Sequence, residues 1–154
     1  MFYISVILLF TADQLAKILA AKHFQDPHVL INKLLYFSYL ENTGGAFGIL
    51  HGRRWIFIGV GVIVILFLIS WQKKTKEQYY AVKWDLLQWG QLFLLAGTLG
   101  NLIDRVRLGY VVDFIAFTSF PSFNLADMFI NIGAMVIIIY YLLKQPVDLW
   151  NSRN

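Results

Sequence analysis

The chain has 154 residues, of which 58% are hydrophobic and only 14% charged, with 13 Lys plus Arg against 9 Asp plus Glu for a formal net charge of +4. Soluble domains carry about 25% charged residues, and at a mean hydropathy of +0.61 the apolar excess cannot be hidden in one core, because a domain of this size leaves much of its surface facing solvent. A bilayer must supply the missing apolar solvent. This excludes soluble nucleic-acid binders despite a pI near 9.4, and the absence of cysteine excludes a thiolate nucleophile, a cysteine metal site and a disulfide framework.

Four apolar stretches, residues 2–21, 55–71, 86–104 and 127–143, approach the length of about 20 helical residues that crosses a hydrocarbon core. The first has no basic segment before its apolar run and no A-x-A cleavage pattern, and it carries Asp13 and Lys17; it reads as a retained helix and not as a cleaved signal. Residues 22–54 follow outside the membrane, and within them 35–50 is aromatic and Gly-rich enough for short strands and turns. Trp55 and Trp71 bracket the second stretch, while Trp84 and Trp89 stand near the start of the third, where indoles suit the membrane interface. The connection QKKTKEQYYAVK holds Lys73, Lys74, Lys76 and Lys83 against Glu77, so this short loop is expected in the cytoplasm, together with both termini. Lys22, Lys33, Arg53, Arg54 and Arg107 fall on the other side, spread over longer segments. A second extracytoplasmic segment spans about 105–123. The expected architecture is an all-α membrane protein of one domain, residues 1–154: four transmembrane helices with a small extracytoplasmic β region.

Ionisable residues inside such helices cost about 2.5 to 3.5 kcal/mol each on insertion scales and carry a functional hypothesis by default. Asp13 and Lys17 lie at i and i+4 on one helical face and can neutralise each other, which reads first as a buried pair that fixes helix packing. In the third stretch Gly97, Asn101, Asp104 and Arg105 follow i, i+4, i+7, i+8 along one face. Gly97 admits a close neighbour that Asn101 can hydrogen-bond. Asp104 and Arg105 read equally as a structural charge pair and as a fork for a substrate carbonyl or a lipid phosphate.

The most informative acids are Asp113, in the apolar run YVVDFIAF, and Asp127, in FNLADMF. Two carboxylates brought together in apolar surroundings cannot both ionise cheaply: one keeps a proton while the other takes a proton from water, as in an aspartic protease. Each also has a structural reading. Asn124 can cap the fourth helix with Asp127 at N3 in a capping-box variant, and Asp113 can be a carboxylate at a strand end or in a loop. Ser70 and Lys73 form Ser-x-x-Lys, but at the cytoplasmic end, where topology already accounts for the lysine. His23, His28 and His51 lack zinc-site spacing. Buried acids also suit a small transporter, although no repeated halves are present, or a non-catalytic assembly partner in which the acids serve stability alone.

In order, TADQLAK (Asp13, Gln14, Lys17), ENTGGAFG (Asn42, Gly44, Ala46, Phe47), AGTLGNLIDR (Gly97, Gly100, Asn101, Asp104, Arg105), GYVVDF (Gly109, Val112, Asp113, Phe114) and FNLAD (Asn124, Ala126, Asp127) resemble the blocks of bacterial lipoprotein signal peptidase, also called signal peptidase II or prolipoprotein signal peptidase. The resemblance runs through nearly the whole chain. It implies four transmembrane helices with cytoplasmic termini in the bacterial inner membrane, a small strand region beside an active site near the outer face, and an aspartic endopeptidase that cleaves prolipoproteins before a diacylglyceryl-bearing cysteine. By position the catalytic pair would be Asp113 and Asp127, acting without metal or cofactor. Asn42, Gly44, Asn101, Asp104, Arg105 and Asn124 would line or support the substrate site, with Asp13 and Lys17 as a supporting pair. The implied partners are the prolipoprotein and membrane lipid, not nucleic acid, and the enzyme is expected to be a monomer. Gly45 stands where the family usually has Ala, which should loosen a turn, and Met128 stands where Ser is common, which should alter a hydrogen bond behind Asp127.

Overall fold

The computed structural model describes residues 1–32, 34–45, 49–78 and 85–144. Lys33, Ala46, Phe47, Lys83 and Trp84 lie outside the described residues, as does the C-terminal tail from residue 145. The chain runs α1 (Phe2–His23), β1 (His28–Ile31), β2 (Leu35–Asn42), α2 (Arg54–Gln78), α3 (Leu86–Arg107), β3 (Val111–Phe117), β4 (Phe120–Phe123) and α4 (Leu125–Leu143). All four helices are long and apolar enough to cross a membrane.

The second helix extends well past the expected residue 71. Lys73 and Lys74 therefore sit exposed on its last turns and not in a loop, and Trp71 packs against the core beside Phe67 at 5.6 Å between ring centroids. Trp55, at 69% exposure, and Trp89 keep the open positions an interfacial indole needs.

Helix α3 is the centre of the bundle, with half of its apolar window buried against about a fifth for the other helices. Its small residues set the approach of α4. A Cβ on Gly97 would strike the Ala126 carbonyl oxygen, and one on Gly133 of α4 would lie 2.7 Å from the Gly90 carbonyl oxygen, so backbone meets backbone where side chains are missing. A small apolar core of Phe2, Val6, Leu68, Leu92, Leu95 and Ala96 ties α1, α2 and α3 together. Ile63, Leu66, Phe67, Ile138 and Leu142 are among many large apolar side chains left facing outward, as a lipid solvent requires.

The β region is larger than the expected 35–50. Both connecting segments contribute to one antiparallel sheet of order β1-β2-β3-β4. Between the pairs Phe37↔Ile115 and Leu40↔Asp113, β2 spends three steps where β3 spends two; this bulge bends β2 immediately beside Asp113. Gly109, at φ +90, makes the turn from α3 into β3, a conformation that glycine adopts without steric cost.

Candidate active site

Asp113 lies in the middle of β3, not at a strand end or in a loop, and is fully buried. Its Oδ2 accepts hydrogen bonds from Asn42 Nδ2 at 3.0 Å and Ser122 Oγ at 3.2 Å, and its Oδ1 from Asn124 Nδ2 at 2.8 Å. Burial and the neighbouring Asp127 carboxylate push the Asp113 carboxyl up to about 6, against the pull of those three donors.

Asp127 occupies the first turn of α4. Its backbone N–H donates to Asn124 Oδ1 at 3.0 Å, and its Oδ2 accepts the Asn124 N–H at 3.3 Å, completing the capping box expected from FNLAD. One side chain thus starts α4 through its oxygen and holds Asp113 through its nitrogen. Asp127 Oδ1 takes a further hydrogen bond from Asn101 Nδ2 at 2.7 Å.

Behind Asp127 lies a buried ionic cluster. Lys17 Nζ is 2.9 Å from Asp13 Oδ2, 2.9 Å from Asp104 Oδ2 and 3.1 Å from Asn101 Oδ1. The expected Asp13–Lys17 pair is present but is part of a three-helix knot: Asp13 Oδ1 accepts the Ala126 N–H of α4 at 2.8 Å, and Asp104 Oδ2 accepts the Val112 N–H of β3 at 3.3 Å. Gln14 Nε2 adds donors to Asp104 Oδ1 and the Gly100 carbonyl. A Cβ on Gly100 would sit 2.6 Å from Asp13 Oδ2, so this glycine makes room for the knot.

Asp104 and Arg105 do not pair with each other. Successive helix positions point about 100° apart, and while Asp104 turns inward to Lys17, Arg105 Nη2 donates to the Gly44 carbonyl at 3.0 Å and its guanidinium lies 4.6 Å from the centre of the Phe57 ring. At Gly45 a Cβ would come within 3.2 Å of the Phe57 ring.

A groove of about 1130 Å³ opens at the sheet end of the bundle, lined by Asn42, Asn101, Arg105, Ser122 and Asp127 among polar residues and by Leu40, Phe120, Phe123, Met128, Ile130 and Ile132 among apolar ones. Asp127 is half-buried and forms part of the wall. Asp113 lies behind it, with its donors Asn42 and Ser122 in the wall itself. Ser122 escaped the sequence reading because a serine in FPSF carries no signal beyond an ordinary strand residue.

Among the described residues no group of three or more His, Asp or Glu is placed to hold a metal ion. His51 bonds Thr43 Oγ1 through Nδ1 at 2.8 Å, and Ser70 and Lys73 are both exposed on α2, away from the groove.

The family described as signal peptidase (SPase) II matches residues 5–143. The chain is 38% identical over 149 residues to the lipoprotein signal peptidase of Halothermothrix orenii, covering 96% of this chain and 99% of that one. It is 40% identical over 145 residues to the lipoprotein signal peptidase of Caldicellulosiruptor bescii, covering 94% and 91%. Among solved structures it resembles a bacterial membrane enzyme determined by the in meso method at 2.3 Å resolution, with a TM-score of 0.80, 30% identity and coverage of 95% of this chain and 93% of that one. A second such structure, at 1.9 Å resolution, gives a TM-score of 0.79 at 32% identity over 94% of each chain.

Proposed function

This chain belongs to the signal peptidase II family, membrane proteases that remove the signal peptide from prolipoproteins, and we propose that Asp113 and Asp127 are the pair through which it does so. The observation that carries this reading is Asn124, which donates its side-chain N–H to the Asp113 carboxyl and its backbone N–H to the Asp127 carboxyl, joining the two acids in one hydrogen-bonded unit whose Asp127 end lines the groove. Such a pair titrates as a unit and shares the tasks of base and acid.

Its asymmetry favours one division of labour. Asp127 stands at a helix N-terminus, takes a hydrogen bond from Asn101, whose oxygen faces the Lys17 ammonium, and lines the groove where an attacking water has access to it. Asp113 is fully buried behind it, and we assign it the shared proton on that placement. Asp127 then takes a proton from water as the water oxygen attacks the scissile carbonyl carbon. Asp113 gives its proton to the carbonyl oxygen, forming a gem-diol; Asp127 then passes the proton it took from water to the leaving amine as the C–N bond breaks, and Asp113 recovers a proton from the gem-diol as the carboxyl product forms. Asn42 and Ser122 stand between Asp113 and the groove, so their displacement by substrate opens this carboxyl to the reacting carbonyl.

The apolar wall of Leu40, Phe120, Phe123, Met128, Ile130 and Ile132 suits the acyl chains of a cysteine-linked diacylglyceryl group, placing cleavage immediately before that cysteine. Arg105, with Gly44 holding its guanidinium, faces the groove as a donor to substrate carbonyls, and Asp13, Lys17 and Asp104 support the site from behind. The sheet end lies at the outer face of the bacterial inner membrane and both termini in the cytoplasm, the orientation supported by exposed Lys73 and Lys74 at the opposite end of α2. The enzyme is expected to act as a monomer.

The test is cleavage of a diacylglyceryl-modified prolipoprotein. Asp113→Asn and Asp127→Asn each abolish it while the protein still accumulates in the membrane. Asp85→Asn is tolerated, because Asp85 precedes α3 without a side-chain cap and asparagine is an equally good residue there. Normal turnover by either dyad variant would refute the assignment.

A further inference from the structure

Asn131 is an exposed polar side chain inside a membrane-spanning helix, and among the described residues it makes no hydrogen bond. It follows Asp127 by four residues, so it lies on the same face of α4, about 6 Å further into the bundle. It lines the same groove, between Ile130 and Ile132. A polar side chain in the apolar run of a membrane-spanning helix is costly, and Asn131 is not among the residues that α4 buries, Ala126, Gly133 and Tyr140.

The chemistry of the group narrows its partner. A carboxamide presents a donor and an acceptor side by side, complementary to the N–H and C=O of an extended peptide. Acyl chains offer neither, and a glyceryl ester offers acceptors alone. We propose that Asn131 is a substrate-binding residue that hydrogen-bonds the main chain of the signal peptide as it enters the groove from the bilayer. This rests on the cleavage site reading given above. A displacement of about 6 Å along an extended chain, at about 3.3 Å per residue, places the contact at the peptide group about two residues before the scissile bond. Because the contact is to main chain, it accepts varied signal-peptide side chains while fixing the depth at which the scissile carbonyl meets Asp127.

The full-length protein in detergent, assayed with a synthetic diacylglyceryl prolipopeptide, provides the test. Asn131→Leu keeps the shape and removes both hydrogen-bonding groups. It should raise KM about three- to tenfold, the equivalent of a neutral hydrogen bond, with kcat retained and the thermal midpoint unchanged or higher. Asn131→Thr, which keeps a donor and an acceptor, should stay within about twofold of the parent. Replacing the peptide bond two residues before the cleavage site with an ester should raise KM for the parent and add nothing further for Asn131→Leu. An unchanged KM in Asn131→Leu, or additive effects of the variant and the ester, would overturn the proposal. So would sensitivity to an ether-linked instead of an ester-linked diacylglyceryl group, which would assign the contact to lipid. Retained cleavage in Asp127→Asn would instead remove the dyad while leaving the coupling between Asn131 and the peptide bond readable.

Discussion

The Asn101 carboxamide joins Lys17 to Asp127: its oxygen faces the ammonium at 3.1 Å and its nitrogen donates to the carboxylate at 2.7 Å. A charge held by two acids on α1 and α3 is thereby transmitted, through one neutral side chain, to the rim of the groove. Asn101→Leu should lower kcat/KM about 10- to 100-fold, the worth of a hydrogen bond to a charged group, with a smaller effect on the thermal midpoint. Equal cleavage by variant and parent would show that Asp127 does not depend on this link.

Lys17→Met should behave differently. It leaves Asp13 and Asp104 facing each other without their shared cation, and breaking a buried pair this way costs about 3–5 kcal/mol. The expected outcome is poor accumulation in the membrane and a sharply lowered thermal midpoint, read by quantitative immunoblot and by unfolding in detergent.

Glycine substitutions separate close packing from mere helix content. Gly97→Ala drives a methyl group into the Ala126 carbonyl, and Gly100→Ala drives one toward Asp13, whereas a methyl group on Gly59 meets nothing within 4 Å. The first two should each destabilise by about 1–3 kcal/mol or more, and Gly59→Ala should be neutral or slightly stabilising through its better helix propensity. Thermal midpoints of the three proteins give the comparison.

Asp113 makes stability depend on pH. Its folded carboxyl titrates near about 6, above the unfolded value, so the folded state binds the proton more tightly. The stabilisation is fully present below about pH 4 and is lost as pH rises through about 6, a change of order 2–3 kcal/mol at most. Asp113→Asn cannot ionise. Its thermal midpoint relative to the parent should therefore improve between pH 4.5 and 7.5, and a difference that stays constant with pH would contradict the raised carboxyl.

Ser122 donates to Asp113 and thereby favours its anion. Ser122→Ala should move the pH dependence of kcat/KM that reports Asp113 upward by up to about one pH unit, the equivalent of one hydrogen bond, and Ser122→Thr should restore it. A loss of rate with an unmoved profile would assign Ser122 to packing alone.

Much of the molecule was readable before any coordinates. Hydropathy and helical period are local properties, and they located the four helices, the capping box of Asn124 and Asp127, and the i, i+4 meeting of Asp13 and Lys17. The sheet was underestimated because β3 is buried on both faces and so lacks the alternation that marks a half-exposed strand. The adjacent charges of Asp104 and Arg105 invited a pairing that helix geometry refuses, since neighbours in a helix point to different partners.

Composition established that this protein needs lipid as a solvent, and the placement of its few acids marked where buried polar groups gather. The destination of each polar group was not legible there. Asn124 reaching Asp113 across 11 residues, Asp13 meeting the Ala126 N–H across 113 and Arg105 meeting the Gly44 carbonyl across 61 all depend on which helices approach one another. That approach is governed by the glycine contacts of α3 with α4 and by the bulge in β2. Apolar burial is non-directional and can be read from composition, whereas a hydrogen bond exists only at the distance and angle that long-range packing imposes.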